Sequence, residues 1–254
     1  MGIGSLIYKI GLSLKKNTGY LIYGRDIVSD WAVEHLKNKK CSERNVLDIG
    51  CAKGDDLLGI KSSVTENIEL FGLETYEPYR KIASEKGIKV TAFDLEREKM
   101  PFDNGFFDVI ILNQILEHTK ELFFIFDELS RVLKPDGILI IGVPNLAAWH
   151  DRLMLILGEQ PTGIKVLGPH IRGFTRSGFT KFIEITGAFK VEKIRGSGFL
   201  PFPVVMAKFL ARCFPTLATS LFLNVKHRDS KVTFADIVKE RKFETNFRVS
   251  DINN

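Results

Sequence analysis

The chain has 254 residues, with 44% hydrophobic and 26% charged positions, which excludes a disordered, collagenous or coiled-coil protein. Cys41, Cys51 and Cys213 are too few and too scattered for a disulfide framework, so a reducing compartment is expected. Residues 1–45 carry 8 basic and 4 acidic groups, residues 46–189 carry 16 and 21, and residues 190–254 carry 12 and 6. An acidic middle between basic ends leaves open a solvated surface, an anionic membrane face, a nucleic acid or an acidic substrate.

From Met1 to Leu14 the chain is apolar, but Lys9 lies inside and Lys15-Lys16 follows with no small-x-small cleavage site, so no secretory signal is expected. Leu6 stands where a myristoylation motif needs Ser or Thr. Asp26 to Lys40 sets Ile27, Trp31 and Leu36 near one face and predicts an amphipathic helix. Asn45 to Ile49 reads as a buried strand closed by Gly50, and Asp55 to Ile60 as the following helix. Ile68 to Glu74 is a second strand, Pro78 to Lys86 a helix stopped by Gly87, and Ile88 to Phe93 a third strand ending at Asp94. Phe107 to Leu112 is a fourth strand. Leu122, Phe126, Leu129 and Leu133 line one face of a helix over 119–133. A Lys-Pro-Asp-Gly turn leads to a fifth strand, Ile138 to Val143.

These strands are continuous apolar runs, not alternating ones. That pattern belongs to a parallel sheet covered on both faces by helices. Beyond Pro144, helices are predicted over 146–157, 176–186 (capped by Thr175) and 204–214, with strands over 189–195 and 232–238 and a polar tail after Phe243. Phe199 to Leu223 comes nearest to a membrane span, but Pro203, Lys208, Arg212 and Pro215 interrupt it.

The most informative segment is Val46-Leu47-Asp48-Ile49-Gly50-Cys51-Ala52-Lys53-Gly54-Asp55. A glycine-rich turn between strand and helix lets backbone approach a ligand, and the carboxyl edge of an open α/β sheet is where nucleotides bind. The turn is G-x-A-x-G and lacks the sixth-position glycine of a dinucleotide fingerprint. Glu74 ends the second strand, where a carboxylate can accept both hydroxyls of a ribose. Asp94-Leu95 ends the third and suits the edge and face of an adenine.

With these motifs the chain resembles the class I S-adenosylmethionine (SAM)-dependent methyltransferases, in the small-molecule branch that includes ubiquinone-biosynthesis enzymes. VLDIGCAKGD resembles that family's first motif, with Ala52 where the middle glycine usually stands. Met100 to Glu121, with its Leu-Glu-His ending, and Leu129 to Asn145 resemble its fourth- and fifth-strand stretches, and His170 to Phe189 more loosely a later one. The resemblance implies a Rossmann-like, doubly wound α/β fold with a mostly parallel seven-stranded sheet and a helical cap. It implies a helical lead-in over 1–44, a SAM-binding core over 45–145, and cap helices with completion of the sheet over 146–254. It implies SAM as cofactor, S-adenosylhomocysteine as product, and cofactor contacts from Asp48, Gly50, Cys51, Ala52, Gly54, Glu74, Thr75, Asp94, Leu95, Asn113, Gln114 and Ile115.

Competing enzymes fail on the same letters. Tyr76 is followed by Arg80, not by the Lys of a short-chain dehydrogenase; Asn113-Gln114-Ile115-Leu116 is not the Asn-Pro-Pro-aromatic of a nucleobase amino-methyltransferase. No cysteine sits where a cytosine-C5 enzyme needs one, no Cys/His spacing suits structural zinc, and no metal is expected. His118 follows the fourth strand and is a candidate general base, against a packing role; His170 is a second candidate, in a loop over the mouth. His35, His150 and His227 have no such context. The 20 phenylalanines suggest an apolar acceptor pocket, against ordinary core. The expected function is methyl transfer, at oxygen, to a small-molecule or lipid-linked acceptor. The alternatives are a SAM-binding partner without turnover and an RNA or protein methyltransferase, although no nucleic-acid module is visible. A cytoplasmic location is expected, with peripheral membrane contact through 199–223 left open.

Overall fold

A computed structural model describes residues 24–39, 43–65, 67–228 and 230–240. Most of the expected lead-in, Cys41 and the polar tail lie outside them. The elements in chain order are α1 (Arg25–Asn38), β1 (Arg44–Ile49), α2 (Asp55–Ser63), β2 (Ile68–Leu73), α3 (Glu77–Glu85), β3 (Lys89–Thr91) and β4 (Phe107–Asn113). A 3-10 turn (Leu116–His118), α4 (Leu122–Val132), β5 (Leu133–Pro144), α5 (Trp149–Ile156), α6 (Arg176–Ile183) and β6 (Phe189–Ser197) follow. The chain then forms α7 (Val204–Cys213), a second 3-10 turn (Pro215–Leu217), β7 (Ser220–His227) and α8 (Phe234–Glu240).

The strands form one α/β sheet of seven, in the order β3-β2-β1-β4-β5-β7-β6. β1 to β5 run parallel, and β7 inserts antiparallel between β5 and β6. Successive residues of each central strand point to opposite faces. Val46, Val109 and Ile111 pack with α1 and α2 on one side. Leu47, Ile110 and Leu112 pack with α4 and α6 on the other. Both faces are therefore dry, and the chemistry is pushed to the ends of the strands.

Three expectations differ from what the fold contains. The fifth strand is longer than expected: Phe107 pairs with Leu133 before a register shift, and Val109 then pairs with Ile138. The expected strand over 232–238 is helix α8. Thr233 and Asp236 exchange hydrogen bonds there, the Asp236 amide donating to Thr233 Oγ1 at 3.1 Å and the Thr233 amide to Asp236 Oδ2 at 2.9 Å. That is a capping box, and it starts a helix. The last strand instead lies within the long apolar stretch, which divides into α7, a turn and half of β7. Among the described residues no helix is long and apolar enough to cross a membrane.

The phenylalanines are mostly core. Phe126 meets Phe179, Phe182, Phe189 and Phe234 edge-on or tilted on the α4 side of the sheet, and Phe71 meets Phe102, Phe106 and Phe107. Their number therefore marks packing, not an acceptor pocket.

Asp108 ties the amino ends of the sheet together. Its side chain is fully buried, and its carboxylate accepts from Lys39 at 2.9 Å, from Lys134 at 2.7 Å and from the Asn45 amide at 2.9 Å. Burial alone would raise its pKa; the bonds from Lys134, Asn45 and Lys39 outweigh it and hold the carboxyl below the ordinary range. Removing a buried ion-paired group strands its partners, so Asp108→Ala is expected to cost about 3 kcal/mol in chemical denaturation. A depressed folded-state pKa stabilises above the unfolded value of about 3.9 and loses that effect as pH falls through the folded one. The variant's deficit should therefore shrink in acid, and a pH-independent deficit would contradict the ion-pair account.

Candidate active site

The end of β1 turns sharply into α2. Gly50 and Gly54 have φ of 74° and 78°, and Ala52 a φ of 46°, so three residues in five occupy the left-handed region. The Gly50 amide donates to Leu73 O at 2.7 Å, which pins the turn beside β2. A Cβ on Gly50 would lie 2.2 Å from Ile115 Cδ1, so the Ile115 side chain closes directly over bare backbone. Gln114, beside it, is also left-handed at φ 60°, and its Nε2 is buried with no hydrogen-bond partner. Strain and an orphaned donor meet at one loop, as they do where a ligand is to be met.

A cavity of about 230 Å³ opens there, lined by Asp48, the turn and Asn113 to Ile115, with Arg25, Asp55 and Asp56 at its edge. Its floor is acidic. Burial, then the charges of Asp56 and Glu74, push the Asp48 carboxyl well above the ordinary range, with Arg25 opposing. Burial likewise raises Asp56, against the amide of Asn113 and the charge of Arg25. Arg25 reaches Asp55 at 3.1 Å and Asp56 at 3.2 Å. Cys51 is inert: burial, Asp48 and Glu74 push its thiol up to about 12.

Glu74 reaches the turn from the neighbouring strand end. Its Oε2 accepts from the Ala52 amide at 3.0 Å and its Oε1 from the Tyr76 amide at 2.8 Å. The carboxylate is thus aimed by two backbone groups, with lone pairs to spare. Thr75 is exposed and its carbonyl accepts from Arg80. Asp94 caps its own loop through the Glu96 amide at 3.0 Å, with Leu95 half-buried behind it. Gly54, Glu74, Thr75, Asp94 and Leu95 do not line the small cavity: Gly54 caps α2, and the others follow the second and third strands.

On the other side the two expected histidines meet. The rings of His118 and His170 lie 4.8 Å apart, edge to face. His118 Nδ1 lies 3.2 Å from Pro169 O and His170 Nδ1 lies 2.8 Å from Gly163 O. A carbonyl only accepts, so both rings carry their proton on Nδ1 and leave Nε2 as a lone pair. Burial, followed by the charge of His170, lowers the His118 pKa, while its bond to Pro169 raises it. Glu117, which the sequence reading left unassigned, is buried beneath them with Oε2 unpartnered, and burial lifts it to about 7. Glu117, His118 and His170 each offer one ligand atom, all within 4.8 Å of one another, a set able to hold a divalent cation. Arg25 and Asp56 were also missed, and the only signal was the pair of acids opening α2. His227 is a packing residue, bonded to Ser130 and Lys134.

A second cavity of about 620 Å³ lies at the carboxyl end of β6, between Asp26 and Asp30 of α1, Gly196 and Gly198, and Ala207 and Arg212 of α7. It shares the first turn of α1 with the small one.

The methyltransferase domain family matches residues 47–141, which span both the glycine turn and the Leu-Glu-His segment. Residues 47–141 are thus a methyltransferase domain, and the resemblance to the class I, SAM-dependent methyltransferases is borne out. It is 26% identical to the mitochondrial ubiquinone biosynthesis O-methyltransferase of Mus musculus over 70% of this chain and 50% of that protein. The chain thus spans about half the length of that curated relative. Among solved structures, a SAM-dependent methyltransferase from Archaeoglobus fulgidus superposes with a TM-score of 0.53 at 16% identity, covering 80% of this chain and 94% of that one. The [4+2]-cyclase SpnF superposes at 0.56 and 18% identity, covering 80% of each chain. These likenesses establish the fold; one of them is a cyclase, so the fold by itself does not name the reaction.

The residues present fit the cofactor that the family implies. SAM carries a sulfonium and an ammonium, and the Asp48–Asp56 floor complements positive charge, whereas a dinucleotide would bring two phosphates to it. Gly50→Ala should lose about 2 kcal/mol of stability from forcing a left-handed alanine. It should also weaken SAM binding, because Ile115 must move. Unchanged denaturation and unchanged calorimetric affinity would contradict this account of the turn.

Proposed function

We propose that the chain moves the methyl group of SAM to an oxygen of a small-molecule or lipid-linked acceptor. The observation that carries this reading is the acidic pocket under a glycine turn, with Glu74 at the end of the next strand accepting from the Ala52 amide of that turn. In this reading the backbone of Gly50, Cys51, Ala52 and Gly54 lies against the amino-acid part of the cofactor above Asp48. Glu74 and Thr75 take the ribose, Asp94 and Leu95 the adenine, and Asn113, Gln114 and Ile115 cover the whole.

When bound, SAM supplies an electrophilic methyl group on sulfur. The protein then has to hold an acceptor oxygen in line, exclude water and remove a proton. In this reading His118 and His170 stand at the acceptor end with Nε2 lone pairs, and neither lines the larger cavity beside α1. The match to an enzyme named for ubiquinone biosynthesis supports a small acceptor with an apolar body.

The test is calorimetric titration with SAM, S-adenosylhomocysteine and NAD, followed by label transfer from methyl-tritiated SAM to apolar hydroxylated compounds. The adenosyl compounds should bind and NAD should not. SAM affinity should rise with pH as Asp48 and Asp56 ionise, since a cation favours the charged carboxylates. Losing two charge-assisted bonds of about 1.5 kcal/mol each, Glu74→Ala should weaken SAM roughly 100-fold. Binding of NAD alone would end this reading.

The same proposal includes a peripheral contact through 199–223. Helix α7 buries only Ala207 and Ala211 fully and leaves Val205, Met206 and Phe209 exposed beside Lys208 and Arg212. No acid occurs in residues 199–223. Such a surface suits apolar insertion with cations at anionic headgroups. Sedimentation with anionic vesicles should capture the protein and Phe209→Asp should release it; equal partition with zwitterionic vesicles would remove the electrostatic half of the idea.

A further inference from the structure

His150 and Asp151 open α5, each only 2% exposed, and the methyl-transfer reading uses neither. Asp151 Oδ1 accepts from the Thr162 amide at 2.7 Å and from the Thr162 hydroxyl at 2.8 Å. Having given its proton to the carboxylate, that hydroxyl can only accept from His150 Nε2, 3.0 Å away. His150 therefore carries its proton on Nε2, and its Nδ1 lone pair lies buried with no partner. A neutral imidazole suits that site, and burial lowers the His150 pKa, against the charge of Asp151.

The residue after Thr162 is Gly163, whose carbonyl accepts the His170 Nδ1 proton. Between them the chain makes an outward loop tipped by exposed Val166 and Leu167. Its far end is fixed where the Ile171 amide donates to Glu117 O at 2.9 Å. The loop is thus moored at two places, one of which sets both the direction and the tautomer of a histidine at the mouth.

We propose that Asp151, acting through Thr162 and the Gly163 carbonyl, is the positioning residue that holds His170 with its Nε2 lone pair turned toward the acceptor. The idea rests on the reading above for what His170 faces, but its structural part is testable alone. Aligning a side chain by a bond to its far nitrogen is how imidazoles are held in working orientation. Small misplacements at a reacting centre cost orders of magnitude in rate.

The experiment is a multiple-bond ¹H–¹⁵N spectrum of the full chain labelled at histidine nitrogens, at a pH where the imidazoles are neutral. His170→Gln and His150→Gln assign the two signal sets. The wild type should show His170 as a single Nδ1–H tautomer and His150 as Nε2–H. Thr162→Val keeps the shape and removes the hydroxyl; its two His170 nitrogen resonances should converge as the tautomers mix, and Thr162→Ser should restore them. If Thr162→Val does not fold, Asp151→Asn offers the same readout with an oxygen left for the Thr162 amide. Wild-type His170 signals in a folded variant, or a wild-type His170 protonated on Nε2, would overturn the proposal. Calorimetric binding of SAM, measured on the same samples, separates that result from failure of the methyltransferase reading.

Discussion

A parallel sheet with helices on both faces has nowhere to put polar chemistry except its edges, and that constraint organises this protein. Val109, Ile110, Ile111 and Leu112 are all fully buried, so β4 cannot present a side chain to solvent until Asn113. From Asn113 to His118 the chain is at the carboxyl edge, and six residues there supply cover, an orphaned amide, a buried acid and an imidazole. The Gly50–Gly54 turn is the same constraint met at β1: backbone must reverse in a crowded corner, and only small residues with left-handed freedom allow it.

The pocket's electrostatics follow from that crowding. Asp48 is still within the sheet, so its carboxylate cannot be hydrated, and Asp56 is held close by the start of α2. Arg25 answers part of this charge from α1, at distances of 3.1 and 3.2 Å to Asp55 and Asp56. Burying like charges with one cation at the rim is costly for the empty protein and favourable for a cationic guest. Buried acids under a glycine turn that looks generic in sequence are thus an electrostatic feature of this pocket that only the fold reveals.

Much of the core was legible because continuous apolar runs such as FDVIIL leave little choice but a sheet buried on both sides. Asp48 and Gly50 lie at the end of β1 and Glu74 directly follows β2, as the apolar runs predict, whereas β3 stops at Thr91, short of the expected strand to Phe93 and three residues before Asp94. What was not legible has particular causes. Val232 to Val238 has the β-branched residues of a strand, but Thr233 and Asp236 form a capping box, and a three-residue spacing outweighed composition. β7 was hidden because apolar helix and apolar strand run together from Phe199 to Leu223, where periodicity alone cannot divide them. The phenylalanines misled because an aromatic is counted the same whether it lines a pocket or packs edge-on or tilted against four others.

Glu117 shows the limit most clearly. In sequence it is one letter beside a more attractive histidine. In the fold it is the only one of the three clustered groups that is fully buried, and its backbone carbonyl receives the Ile171 amide that brings the His170 loop down. The histidine cluster therefore depends on residues 117, 162 and 170, which are brought together only after β4, α5 and the loop between α5 and α6 are in place. Strand-end motifs are local and survive in sequence; a mouth assembled from three separate segments is not. That asymmetry explains why the glycine turn can be read from the letters, while the cluster of Glu117, His118 and His170 has to be read from the contacts that the fold creates.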